Sequence, residues 1–313
     1  MTGKAKRESL ASSPPREYHR PMDSSRQADG SALPPGVTRL SLRRYEGELR
    51  APENDLLVVE EPLEIRYDRE AVATLMRTPG DDRDLALGYL YGEGWIDALA
   101  DVGALAVCGQ NGAAAEDGDE LVEQNVAALI PAPGRRPPSG VVRRASVTSA
   151  SCGVCGKRTI EEAMALRPPS ERSDRALDAL PAELLARLPE RLRAGQELFR
   201  HTGALHAAGL FDGRGRLSSL KEDIGRHNAV DKVLGEAFRN GALPLASDVL
   251  QVSGRVSFEI VQKAYRAGIP CVAAVSGVSS LAVELARGSD ITLVGFSRGG
   301  AFCVYSHPER LRT

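Results

Sequence analysis

No stretch of this sequence stays apolar for the roughly twenty residues that a membrane-crossing helix needs, and its first thirty residues hold no apolar segment of the kind a secretory leader carries. Neither an anchor nor a signal peptide is therefore expected, and the cytoplasm is the default compartment. Excess positive charge is also missing. Forty Lys and Arg stand against 42 Asp and Glu, giving a formal net charge of −2 and a pI near 6.3, where a nucleic-acid binder would be basic. Cysteine is scarce, with five in 313 residues. In a reducing compartment a close cysteine pair points to catalysis or metal binding rather than to a structural disulfide. What is present is 42% hydrophobic residues, which suits a globular protein of one large or two moderate domains.

Two of the cysteines are near neighbours, in Ser151-Cys152-Gly153-Val154-Cys155-Gly156-Lys157, while Cys108, Cys271 and Cys303 stand alone. Residues 159–166 carry Ile160, Ala163 and Met164 at helical spacing before Pro168 and Pro169. That sets the pair at or just before a helix N-terminus, where the dipole favours a thiolate. Lys157 and Arg158 add positive charge, and the glycines leave both sulfurs open to attack by another protein's sulfur. A zinc site needs four ligands. Neither Cys271 nor Cys303 has a second cysteine at ligand spacing, although His307 lies four residues after Cys303, and no metal is expected. A thioredoxin-like dithiol would follow the first strand of a small βαβ domain rather than residue 150. A zinc deaminase would place His-x-Glu ahead of Pro-Cys-x-x-Cys; no His-x-Glu precedes this pair, and Ser151 stands in the position of the proline.

The chain divides by composition. Residues 1–36 are rich in Ser, Pro, Arg and Asp and read as a disordered extension. Residues 37–150 read as a β-rich domain. Residues 38–48 alternate loosely, strands are expected over 56–59 and 63–67 with a break at Pro62, and 76–80 is a capped turn. A helix over 81–95 then places Leu87, Leu90, Tyr91 and Trp95 on one face. Strands are expected over 121–130 and 141–147, between loops at 109–120 and 131–140. Residues 151–200 hold the cysteine pair and connecting helices, with Leu184, Leu185, Leu188 and Leu192 at helical intervals and Pro189 as a break. From 201 to 313, strands and helices alternate: a hairpin over 206–220 turning at Asp212-Gly213-Arg214-Gly215, helices over 226–240, 256–267 and 280–286, and strands over 249–252, 270–275, 291–295 and 301–305. This ββαβαβαβ order predicts an α/β fold whose central sheet has a parallel core.

If those strands are parallel, the turns after them open on one edge. They read Glu222-Asp223-Ile224-Gly225-Arg226-His227-Asn228, Ser253-Gly254-Arg255, Ser276-Gly277-Val278-Ser279-Ser280 and Phe296-Ser297-Arg298-Gly299-Gly300. Small hydroxyls, glycines, helix N-termini and three arginines are what a pyrophosphate needs, and a phosphate-bearing ligand is expected there. Asp223 and His227 fit either a general acid/base pair or a cap that binds ligand hydroxyls, and binding is the reading adopted. His201 and His206, at strand spacing, would face opposite sides and share no metal.

These residues resemble the formate dehydrogenase accessory sulfurtransferase family, FdhD. The resemblance rests on Glu61-Pro62-Leu63-Glu64-Ile65, Met76-Arg77-Thr78-Pro79-Gly80, the cysteine motif, residues 222–233, Ser253-Gly254-Arg255, Gly268-Ile269-Pro270 and residues 293–299, and it runs from about residue 40 to the end. Two departures stand out, Ala204 after Thr202-Gly203 where a second glycine is usual, and Ser276-Gly277-Val278-Ser279 where a proline is usual. The resemblance implies sulfur transfer from a cysteine desulfurase to the bis-molybdopterin guanine dinucleotide form of the molybdenum cofactor, for formate dehydrogenase. It further implies a cytidine-deaminase-like C-terminal half, a homodimer, Cys152 as persulfide carrier with Cys155 as its partner, and residues 296–301, Ala301 included, as a cofactor-binding loop. On the residues alone, a thiol-disulfide oxidoreductase and a cofactor chaperone with structural cysteines remain open.

Overall fold

Alternation of apolar and polar side chains begins at Val37 and builds hairpins. In the computed structural model, which describes residues 33–34, 36–108, 125–136, 147–148 and 180–312, β1 (Val37–Tyr45) and β2 (Leu49–Val58) pair as a two-stranded ribbon. β3 (Glu61–Tyr67) and β4 (Glu70–Arg77) form a tighter hairpin through Asp68 and Arg69, both at positive φ. A two-residue loop of that hand matches the twist of the flanking strands. Pro62 lies inside β3 instead of breaking it: the strand Val126–Pro131 pairs with β3 only from Glu64 onward, so the missing N–H removes no bond on that side. Met76 and Arg77, expected in a turn, are the last residues of β4.

α1 (Asp82–Gly92), β5 (Val102–Cys108), β6 (Val126–Pro131) and β7 (Val147–Thr148) follow, and the five strands order as β5-β6-β3-β4-β7. The chain continues through β8 (Leu180–Pro181), α2 (Ala182–Gly195) and α3 (Glu197–Thr202). Pro189 does not end α2. Its neighbours Leu185, Leu188 and Leu192 are buried on one face, and that packing keeps the helix running to Gly195.

The C-terminal half is β9 (His206–Asp212), β10 (Leu217–Asp223), α4 (Arg226–Arg239), β11 (Asp248–Val252), α5 (Phe258–Arg266), β12 (Cys271–Ala274), α6 (Ser280–Gly288), β13 (Thr292–Arg298) and β14 (Ala301–Ser306), with β15 (Leu311–Arg312) pairing with β8. The six-stranded sheet has the order β10-β9-β11-β12-β13-β14. Its parallel centre, β11-β12-β13, is the one the alternation of elements predicts. β13 runs to Arg298 and returns directly into β14, so the turn at Phe296 closes a hairpin rather than opening a helix.

One apolar core joins the two sheets. It runs from Leu63, Ile65 and Leu129 through Leu85 and Leu90 of α1 and Val230 and Leu234 of α4 to Leu250, Val272 and Leu293. The other face of the six-stranded sheet is covered by α2, whose Leu185, Leu188 and Leu192 meet Phe211, Val249, Ala273 and Val294. α1 and α4 approach to backbone contact. A Cβ at Gly88 would sit 1.8 Å from the Asp231 carbonyl oxygen, and one at Gly235 would sit 1.8 Å from that of Asp84.

Gly88→Ala and Gly235→Ala should each therefore destabilise the protein by at least about 2 kcal/mol, because a backbone atom cannot rotate away from the added methyl. Urea denaturation of both variants checks this, and a midpoint shared with the parent chain would disprove the close approach.

Candidate functional site

β10 and β11 both run antiparallel to β9, so β10, β11, β12 and β13 all point the same way. Their ends, and His206 at the start of β9, lie on one edge of the sheet. The turns are laced together there. Ser253 N–H donates to Ala207 O (2.9 Å), Val256 N–H to Gly277 O (3.1 Å), Ser279 N–H to Val256 O (3.0 Å) and Phe296 N–H to Ser276 O (2.9 Å). The Ser253 hydroxyl accepts from Ala207 N–H at 2.8 Å. Convergence of the predicted turns on one edge is thus a property of the fold.

The edge has two unlike halves. Around Gly254 it is cationic: a Cβ there would lie 3.1 Å from His206 Nδ1 and 3.5 Å from Arg226 Cβ. Arg255 is exposed beside them. The N-cap residues of α4 and α5, Gly225 and Ser257, make no side-chain capping hydrogen bond. Burial, followed by the positive charges of Arg226 and Arg255, lowers the His206 pKa against the opposing pull of Asp223. Sequence reasoning passed over His206 as a site residue, because only pairing of β9 with β10 and β11 brings it to these arginines.

The other half is apolar and glycine-rich. Phe296, at φ +54, keeps 42% of its surface exposed, and its ring lies over Gly277, where a Cβ would be 3.1 Å from Phe296 Cζ. Ser297 is fully buried and its hydroxyl has no hydrogen-bond partner among the described residues. Arg298, Gly299, Gly300 and Ala301 form the exposed hairpin tip, and the two glycines have positive φ with open space about them.

Asp223 and His227, read together as a possible acid/base pair, enter separate networks. Asp223 faces inward. Its Oδ1 accepts from Gly225 N–H (2.7 Å) and Asn228 Nδ2 (2.9 Å), and its Oδ2 from Thr78 N–H (3.2 Å) and Lys232 Nζ (2.8 Å). Lys232 Nζ also donates to Thr78 O at 2.9 Å and Glu222 O at 3.3 Å, and Asn228 Nδ2 donates to Met76 O at 2.8 Å. Asp223, Asn228 and Lys232 are thus buried and engaged with the end of β4. Thr78 and Lys232 fall within stretches that carry the family resemblance, but nothing in the sequence brings them together, since the partners of Thr78 lie 145 to 154 residues away.

His227 instead sets Nε2 3.0 Å from Ser257 Oγ and 3.9 Å from Glu259 Oε2. Glu259 pairs at 3.0 Å with Lys263, which pairs at 2.6 Å with Asp231. Burial pushes the Asp231 carboxyl up to about 7 against the pull of Lys263. Burial alone would lower the Lys263 pKa, but Asp231, Glu259 and Glu93 overcome it and hold the ammonium protonated.

Cys152 and Cys155 lie outside the described residues. Cys271 is buried, and burial pushes its thiol up to about 12. Cys108 and Cys303 are exposed on β5 and β14. His201 belongs to α3 and His206 to β9, so they do not share a strand. His307 turns toward Glu309 and Asp290. Among the described residues, no group of three or more His, Cys, Asp or Glu side chains could hold a metal ion, and no helix is long and apolar enough to cross a membrane.

The sequence profile of the FdhD/NarQ family matches residues 58–312. The chain is 47% identical over 259 residues to the sulfur carrier protein FdhD of Streptomyces avermitilis, covering 82% of this chain and 89% of that one. It is 46% identical over 257 residues to that of Mycobacterium tuberculosis (82% and 92%), and 38% identical over 278 residues to that of Sulfurisphaera tokodaii (88% and 99%). In fold it is similar to the crystal structure of a formate dehydrogenase accessory protein from Desulfotalea psychrophila, with a TM-score of 0.67 at 24% identity over 89% of this chain and all of that one.

His206 should titrate below the ordinary imidazole value of 6.5. With a folded pKa below the unfolded one, its contribution to stability is present above that value and is lost as pH falls through and below it. A phosphate-bearing ligand on Arg226 and Arg255 should raise the His206 pKa again, by adding a negative charge where two positive ones stand. Histidine NMR titrations with and without GDP read both effects; a titration blind to GDP would remove His206 from the site.

Proposed function

The chain belongs to the FdhD/NarQ family, and from that membership we propose that it is a sulfur carrier, taking persulfide sulfur from a cysteine desulfurase and passing it to the molybdenum cofactor of formate dehydrogenase. The cofactor, in its bis-molybdopterin guanine dinucleotide form, is cargo at the sheet edge rather than a resident group. Cys152 carries the sulfur and Cys155 is its partner, in a cytoplasmic homodimer acting as a sulfurtransferase. The names of the relatives support the carrier role.

The observation that carries the reading is where β7 leads. β7 is parallel to β4, with Thr148 opposite Leu75, one residue before the Met76 carbonyl that Asn228 holds at the edge. Cys152 follows Thr148 by four residues, a tether of at most about 14 Å when fully extended. The edge beyond it suits a guanine nucleotide in charge and shape. The Phe296 ring over Gly277 is a surface on which a base can stack, and Arg298, Arg226 and Arg255 offer charge to a pyrophosphate. The strand ends bearing these halves are two strands apart, about 10 Å, which compares with the reach of a nucleotide from base to diphosphate.

The chemistry needs two cysteines. In the first exchange the Cys152 thiolate attacks the outer sulfur of the desulfurase persulfide, and the desulfurase cysteine leaves as thiolate. The outer sulfur now on Cys152 is at the zero oxidation level, whereas a sulfido ligand is sulfide, so delivery takes two electrons. The Cys155 thiolate supplies them: it attacks the Cys152 sulfur, the two cysteines close a disulfide, and the outer sulfur leaves as sulfide. A cellular thiol reductant then reopens the disulfide.

Incubation with a cysteine desulfurase and cysteine should add one sulfur mass to the chain, and Cys152→Ala should abolish the addition in intact-mass spectra. Loading at Cys108, Cys271 or Cys303 would instead overturn the site. Arg298→Ala should weaken GDP binding about ten- to a hundredfold, as expected for loss of one charge-assisted hydrogen bond to phosphate, with unchanged persulfide yield. A Cys152→Ala chain that lost GDP binding as severely would make the cysteines structural and the protein a cofactor chaperone.

A further inference from the structure

The buried Asp223–Lys232 pair joins two parts of the chain that the sulfur-carrier reading needs to keep in register. On one side is the end of β4, which leads into Thr78 and lies beside β7, the strand before the cysteine pair. On the other is the start of α4, which sets Arg226 beside Gly254 at the edge. Four groups span the seam: Thr78 N–H on Asp223, Lys232 on Thr78 O, Ile224 N–H on Thr78 Oγ1 at 3.1 Å, and Asn228 on Met76 O. Thr78 is fully buried, and every polar atom it owns is used in this seam.

The β4 side is itself clamped. Arg77, 1% exposed, is bidentate to Asp82 at 2.9 Å and 2.9 Å, and reaches Glu61 at 3.1 Å and Asn125 Oδ1 at 2.8 Å. The end of β4 is thereby fixed to β3, to α1 and to Asn125, the residue just before β6. A shift of Thr78 would have to break this clamp or the seam.

Resting on the sulfur-carrier reading, we propose that Thr78, Asp223 and Lys232 are positioning residues for sulfur transfer, holding the end of β4, which pairs with the strand that leads to the cysteine pair, against the turn that presents Arg226 to the nucleotide. A buried ion pair is a poor device for stability, since apolar residues of the same volume serve as well or better. What it supplies here is one fixed register, because a slip at the seam strands two buried charges. Loading from a desulfurase needs only an accessible cysteine, and nucleotide binding needs only the edge. Delivery, in which the Cys155 thiolate displaces the outer sulfur of the Cys152 persulfide as sulfide, needs both in one geometry.

The test separates those steps. Thr78→Val keeps the shape and removes the Oγ1 acceptor, leaving Ile224 N–H unpaired, and Thr78→Ser restores the oxygen. Persulfide yield by intact mass and the GDP dissociation constant should stay within about twofold of the parent for both variants, as the groups that carry them are untouched. Formate dehydrogenase activity restored per equivalent of loaded sulfur should fall about tenfold in Thr78→Val, the scale of one lost buried hydrogen-bond partner, and recover in Thr78→Ser. Lys232→Met, where it folds, should show the same pattern more strongly. Transfer equal to the parent in Thr78→Val, transfer falling only in proportion to loading, or equal damage in Thr78→Ser would each overturn the positioning role. A parent chain that accepts no sulfur would remove the carrier reading and this proposal with it, whereas intact loading with transfer indifferent to Thr78 removes this proposal alone.

Discussion

The ion pair between Asp223 and Lys232 is the constraint on which the arrangement of the two halves rests. Both side chains are almost wholly enclosed. Lys232 uses its three hydrogens on Asp223, Thr78 O and Glu222 O, and Asp223 accepts from four donors. With both partners satisfied, the desolvation cost of burying two charges is largely offset. With either removed, the remaining buried charge would cost on the order of 3 to 5 kcal/mol. The pair therefore permits one relative placement of β4 and α4.

Other charges along the same boundary repeat the arrangement. Lys221 of β10 meets Asp81 at 2.9 Å just ahead of α1, and Arg239 of α4 meets Asp84 at 2.7 Å. Arg266 of α5 stacks on the Tyr91 ring, 4.7 Å from its centroid, and reaches Asp97. Beneath them the glycines at 88 and 235 let α1 and α4 touch through their backbones. Apolar burial supplies the driving force for docking the two sheets, and the polar contacts select which docking is formed. The described residues from Leu33 onward accordingly make one compact unit, although composition alone suggests a β-rich domain followed by an α/β one.

The functional edge inherits its geometry from that docking. Parallel β11, β12 and β13 bring their turns together, antiparallel β9 adds His206, and the β13–β14 hairpin lifts Phe296 and Arg298 into solvent. The result is a cationic half and a stacking half separated by the width of two strands. Against the same seam, β7 runs toward the edge and ends four residues before Cys152. A sulfur carrier has to receive from one protein and deliver to a ligand for another.

What the sequence determined by itself was local. The double-glycine cysteine motif, the alternation of strands and helices from residue 201, and the glycine, serine and arginine composition of the turns are all set within windows of about a dozen residues, where periodicity and turn chemistry are readable. The parallel centre of the six-stranded sheet follows from that order, and so does the convergence of its turns. Tertiary structure alone decided the rest. Pro62 and Pro189 read locally as breaks, yet the strand has a free flank and the helix a buried leucine face. Asp223 reads as a ligand residue, yet it faces a threonine 145 residues upstream. His206 reads as an ordinary strand residue, yet it stands beside two arginines. Each of these depends on partners far apart in the chain, and side-chain type at one position carries no record of which distant backbone will be packed against it.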